Sequence, residues 1–281
     1  MQLTTPRFPC PSIDIAIDGI PLKQVATFKY LGSHISSNCH LDDELNYRIG
    51  KATRSYGRLS SKVFHNKNIT LSTKVMVYNA VVLSSLLYGS EAWTLYNNQV
   101  RMLESFHMRS LRRILGISWL HRVPNTEVLR RTSSVSIENI LNRSHLRWLG
   151  HVIRMNDTRL PKQLLYGELA NGSRSVGRPL KRYKDGTQRV LRACKISKKD
   201  LETTASDRKT WRSVCVAGLK DHEASRLQWL QERRMKRKNK NSCPSTQASQ
   251  HVCLDCGRDC NSPIGLYSHR RVHRKTTPSQ R

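Results

Sequence analysis

Near its end the chain reads CLDCGRDCNSPIGLYSHRRVH, residues 253–273. No other stretch constrains its own fold so tightly. Cys253 and Cys256 are separated by two residues, twelve follow, and His269 and His273 are then separated by three. Two thiolates on one turn and two imidazoles on one helix face can converge on a single tetrahedral zinc ion. The spacing therefore predicts a small ββα module held by one structural zinc, with Cys253, Cys256, His269 and His273 as ligands. Cys260 is an alternative thiol. Leu266 falls where such a helix buries a leucine, Ser262 is a good N-cap and Pro263 a good first helical residue. Where an aromatic would complete the small core, the sequence has Cys260.

The helix is poorly equipped to read duplex DNA. The positions that face base edges in the usual docking are Ser262, Gly265 and Ser268, and none has the bidentate reach of Arg, Asn or Gln. One such module also covers only about three base pairs. Contact with a phosphate backbone through Arg258, Arg270, Arg271 and Arg274 is the better expectation.

The rest of the chain is equally basic. Across 281 residues, 49 Lys and Arg face 20 Asp and Glu, a net charge of +29. A surplus that large repels itself unless a polyanion is near, so RNA, DNA or an RNA–DNA hybrid is the expected partner. Nothing in the pattern suggests a small-molecule substrate. The N-terminus MQLTTPRFPCPS has no apolar signal region, and cysteines outside the module lack a disulfide framework. The most apolar stretch, VMVYNAVVLSSLLYG, is too short and too interrupted by Asn79, Ser84 and Ser85 to span a bilayer. These features predict an intracellular protein, in the nucleus or a cytoplasmic ribonucleoprotein, neither secreted nor membrane-bound.

Hydrophobic periodicity predicts a mainly α fold after a short β start. Ile13, Ile15 and Ile17 alternate, and Asp18-Gly19 is a hairpin turn signal. Leu45, Ile49, Ala52, Tyr56, Leu59 and Val63 repeat at helical spacing. A helix from Ser72 is apolar on most faces and is expected at the centre of the core. A third covers roughly 97–116, with Val100, Leu103, Phe106 or His107, Leu111 and Ile114 on one stripe and Gly116 at its end. A fourth covers roughly 136–154. ANGSRSVGRPLKRYKDG then reads as a basic loop, and residues 186–235 carry helical patches anchored by Trp211 and Trp229. ERRMKRKNKNSCPSTQASQ reads as a basic run and polar linker. The boundaries that follow are a β-hairpin at 1–36, a helical bundle at 37–160, a basic helical domain at 161–235, a linker at 236–250, the ββα module at 251–275 and a tail at 276–281.

Two features imitate catalytic sites. Asp42 and Asp43 form an adjacent carboxylate pair, but they precede a clean helical repeat, where acids complement the helix dipole. His107, His145 and His151 have no carboxylate or second ligand beside them in sequence and read as core or surface histidines. Neither a nucleophile elbow nor a phosphate loop is present.

From FKYLGSHISSNCHLDDELNYRIGKA onward the chain resembles the region after the polymerase palm in reverse transcriptases of non-LTR (LINE-type) retrotransposons. The resemblance continues through VVLSSLLYGSEAWTL, LESFHMRSLRRILGISW, RWLGHVIRM and GRPLKRYKDG, and ends in the Cys-Cys-His-His module, similar to the single finger that closes many such polyproteins. It implies the end of a palm, a helical thumb-like bundle, a flexible basic linker and a zinc finger. It also implies that the paired catalytic aspartates lie upstream of the FKYLGS strand, so no residue here inherits their role and the chain is not itself an enzyme.

Within that frame, Arg109, Arg112 and Arg113 are expected on one helix face against phosphates, together with Arg178, Lys181 and Arg182. Tyr183 is expected to stack on a base. Two other readings stay open: a host zinc-finger DNA-binding protein resembling a transcription factor, and a truncated form of a full RNA-directed DNA polymerase.

Overall fold

The structure, a computed structural model, describes residues 15–23, 25–167, 180–242, 251–260 and 262–276. The chain divides into two units, Met1–Gln228 and Trp229–Arg281. It is mainly helical.

Two hairpins open it rather than one. Strands β1 (Ala16–Ile17) and β2 (Ile20–Pro21) pair antiparallel across Asp18-Gly19. Both turn residues have positive φ, 51° and 81°, which is the backbone that this dipeptide favours. Strands β3 (Thr27–Tyr30) and β4 (Ser33–Ser36) pair separately. Their turn is Leu31-Gly32, with φ of 46° and 84°. A leucine resists that left-handed conformation, so Leu-Gly gives little local signal of a turn. Tertiary bonds hold it: Tyr88 donates its hydroxyl to the Leu31 carbonyl, and the Arg48 guanidinium donates to the Gly32 carbonyl.

Helix α1 (Asp42–Leu59) has Asp42, Asp43 and Glu44 in its first turn, as expected of acids at a positive dipole end. It runs into a π-helical turn, Ser60–Phe64. Helix α2 (Leu71–Val77) is capped by the Thr70 hydroxyl, which accepts from the Thr73 amide. It continues through a second π-helical turn, Tyr78–Leu83, into the short α3 (Ser84–Leu86). This segment is less central than its composition suggests. Tyr78, Val82 and Leu86 are fully buried, but Met76 and Val81 face solvent.

Helices α4 (Asn97–Ile114), α5 (Asn125–Arg131) and α6 (Ile137–Ile153) follow. Helix α6 serves two cores. Its first half gives Ile137 and Leu141 to a cluster built from α1 to α5. Its second half gives Leu146, Leu149 and Ile153 to a cluster completed by later helices. Those are α7 (Leu160–Tyr166), α8 (Tyr183–Ala193), α9 (Leu201–Ser206) and α10 (Arg208–Ser242). Helix α10 extends through residues 236–242, which composition alone assigns to a linker; Met, Lys and Arg are good helix formers. The last helix is α11 (Pro263–Thr276).

Two tertiary features lock α6. At its start, the Ser136 amide and hydroxyl both donate to Glu223 of α10, and the Ile137 amide donates to Glu104 of α4. Carboxylates from two other helices thus sit at the positive end of α6. Arg226 lies 3.4–3.7 Å from Glu104, Glu138 and Glu223 and balances them. Further along, Trp211 donates its indole N–H to the Leu146 carbonyl at 3.1 Å, directly against Gly150. A Cβ at residue 150 would lie 2.2 Å from the Trp211 indole nitrogen. Gly150→Ala is therefore expected to destabilise the protein by about 1–3 kcal/mol through overpacking. Urea unfolding measures this, and an unchanged midpoint would mean that the indole can move aside.

His107 and His145 are core residues. His107 is fully buried, with Nδ1 2.9 Å from the Tyr78 hydroxyl and Nε2 3.3 Å from the Val135 carbonyl. His145 lies on the Tyr183 ring, with Nε2 2.9 Å from the Thr187 hydroxyl. Burial pushes both imidazoles down to about 4. Each is neutral in the folded state and takes up a proton near 6.5 when unfolded. Their contribution to stability is complete above about pH 6.5 and is lost as pH falls toward 4. The melting temperature should decline across that window, and His107→Gln should flatten part of the decline.

Candidate metal centre and basic groove

The metal ligands are assembled by short-range bonds. The Cys253 amide donates to the Arg258 carbonyl at 2.9 Å, and the Gly257 amide donates to the Cys253 carbonyl at 2.8 Å. This closes a knuckle that Gly257 completes with φ of 67°. The ββ part of the module is reduced to one antiparallel bridge, Val252 to Asp259. Ser262 acts as the expected cap, its hydroxyl accepting from the Gly265 amide at 3.0 Å. Helix α11 then presents His269 and His273 one turn apart.

The four donor atoms of Cys253, Cys256, His269 and His273 lie within 4.8 Å of one another. His269 Nε2 is 3.0 Å from Cys256 Sγ and 3.0 Å from His273 Nε2. Ordinary zinc bond lengths put the edges of an S2N2 tetrahedron at roughly 3.3–3.8 Å. The residues present therefore fit a closed tetrahedral site for one metal ion. Cys260 lies outside this set, its thiol directed at the Arg258 carbonyl.

The expected nucleic-acid residues separate into groups. Arg109 and Arg113 are exposed on α4, where two cavities that share Thr53 of α1, Phe106 and Arg109 together make up a groove, Arg101 lining the first and Arg113 and Tyr56 the second. None of the described residues lining it is a carboxylate. Positions 101, 105, 109 and 113 recur every four residues, so the stripe is visible in sequence; that α1 forms the opposite wall is not.

Arg112 turns away. Its guanidinium donates to the Val123 carbonyl and to Asn125 Oδ1, tying α4 to the start of α5. Lys181 donates Nζ to the Leu95 carbonyl and lies over the Tyr96 ring. Arg182 pairs with Asp185 at the start of α8. Tyr183 is half-buried and stacked on His145, with ring centroids 4.6 Å apart, so its ring packs inside the protein instead of standing free for a base. Arg178 lies outside the described residues. Arg258, Arg270 and Arg271 are exposed around the metal centre, and Arg274 is on α11.

The fold and the site define a mainly helical protein whose C-terminal module carries a Cys2His2 cluster able to hold a metal ion. No family model matches the chain, and no solved structure matches it. It is 29% identical over 209 residues to an uncharacterized transposon-derived protein of Caenorhabditis elegans, covering 69% of this chain and 71% of that protein. That similarity supports a transposable-element origin. No helix among the described residues is long and apolar enough to cross a membrane.

Proposed function

We propose that this chain is a nucleic-acid-binding C-terminal portion of a non-LTR (LINE-type) retrotransposon reverse transcriptase, with one structural zinc and no polymerase chemistry of its own. The observation that carries the reading is the groove between α1 and α4, lined by Arg101, Arg109 and Arg113 without a carboxylate. In a chain of net charge +29, such a groove concentrates positive potential where a phosphodiester backbone can lie. Phe106 at its wall offers an apolar surface to a sugar or base. The zinc supplies structure, tying the knuckle to α11. Asp42 and Asp43 take no metal role in this reading, since Asp42 accepts a bond from Gln99 at the start of α1.

Purified chain titrated against RNA, duplex DNA and an RNA–DNA hybrid across a salt series tests the proposal. Affinity should fall steeply with salt, because each neutralised phosphate contributes about 0.9 to the logarithmic slope on a DNA duplex. Replacing Arg101, Arg109 and Arg113 together by alanine should reduce that slope by roughly 2–3 and weaken all three ligands alike. Salt-independent binding would refute the proposal, as would a zinc-dependent preference for one duplex sequence, which a host DNA-binding factor would show.

A further inference from the structure

Helix α11 of the metal module keeps two large apolar side chains in solvent. Ile264 is 78% exposed and Tyr267, one turn later on α11, is 68% exposed. Leu266 and His269, on the opposite side of the helix, are only partly exposed, and His269 lies 3.0 Å from the Cys256 thiol. Arg270 and Arg271 follow Tyr267 by three and four residues, so all three share a face, and both arginines are exposed. The positions one turn before the ring on that face are Pro263 and Ile264, and the short Ser262, Gly265 and Ser268 lie off it. Across residues 251–276 there are five Lys and Arg against two Asp.

We infer that this face of α11 binds unpaired nucleotides, a base stacking on Tyr267 while Arg270 and Arg271 hold the flanking phosphates. The inference rests on the nucleic-acid reading above and narrows it to single strands. A duplex hides the faces of its bases and shows only their edges, which Ser262, Gly265 and Ser268 are too short to read. An unpaired nucleotide offers a π-face and a phosphate a few ångströms apart, and an aromatic ring beside two guanidinium groups complements both. An apolar protein partner would suit Ile264 and Tyr267 but would have to bury or pair two arginines, so the charge favours the polyanion.

The test uses the full zinc-loaded chain and its Tyr267→Ala and Tyr267→Phe variants. Fluorescence anisotropy would follow binding to single-stranded RNA, single-stranded DNA and a blunt DNA duplex. The absorption spectrum of the cobalt-substituted protein would check that Tyr267→Ala keeps the metal site. We expect Tyr267→Ala to weaken single-strand binding about 5- to 100-fold, with Tyr267→Phe near the parent and the duplex unchanged. Equal losses on RNA and DNA would assign the ligand to bases in general; a loss on RNA alone would assign it to RNA. Intact metal binding with undiminished single-strand affinity would overturn the inference and leave the basic-groove reading standing, as would equal losses on single strands and duplex. If the parent chain binds none of the nucleic acids, both readings fall.

Discussion

Replacing Cys253 by alanine should unfold residues 251–276 and leave the preceding helices intact. Cys253 is fully buried, and its backbone forms both bonds of the knuckle. Apart from that knuckle and its bridge, little holds the module together: Leu254, Ile264 and Tyr267 are exposed, and Cys260 stands where a large core side chain would go. A structural zinc site supplies on the order of 10 kcal/mol of apparent folding free energy at neutral pH. The small core has nothing comparable to replace it. Chelation should act like the mutation. Because thiols and imidazoles must lose protons to bind metal, acid should also release it. Limited proteolysis would show cleavage confined to the C-terminal part, while most of the far-ultraviolet circular dichroism remains. Cooperative loss of the entire helical signal would count against a metal module that folds separately.

The second large effect lies far from the metal. Arg48 and Glu44 are 1% and 2% exposed and bonded at 2.7 Å within α1. The Arg48 guanidinium also donates to the Gly32 carbonyl at 2.6 Å and lies 4.4 Å from the centre of the Tyr88 ring. Glu44 accepts in turn from the His34 amide. The pair thus pins the β3–β4 hairpin to the helices. Arg48→Ala should destabilise the protein by about 3–5 kcal/mol, because it leaves a carboxylate buried without its counter-charge. Glu44→Gln in the Arg48→Ala background should recover much of that loss, since removing both charges avoids the uncompensated one. Urea unfolding of the four proteins gives the cycle. A loss below about 1 kcal/mol for Arg48→Ala would mean that water reaches the site.

Arg48 illustrates what was hidden in the sequence. A Glu and an Arg four apart at the start of a helix read as a surface pair. Only the hairpin folding over them makes them a buried clamp. Arg112, Lys181 and Tyr183 fall in the same class. Their residue types suggest phosphate and base contacts, yet each finds a partner inside the protein, in Val123 and Asn125, Leu95, and His145 respectively. Arg109 and Arg113 have the same chemistry as Arg112 and stay exposed because α5 approaches only one side of α4. The cap of α6 by Glu104 and Glu223 was equally illegible, since the residues that make it are 33 and 87 positions from their partners.

The sequence by itself determined what local geometry decides. The Asp18-Gly19 turn follows from backbone sterics, helices α1, α4 and α6 follow from hydrophobic period, and the convergence of Cys253, Cys256, His269 and His273 follows from spacing within one short segment. Tertiary structure decided which charges are spent inside and which remain for a ligand. That choice depends on neighbours brought together from distant parts of the chain, and burying a guanidinium or carboxylate is tolerated only where such a neighbour supplies its bonds.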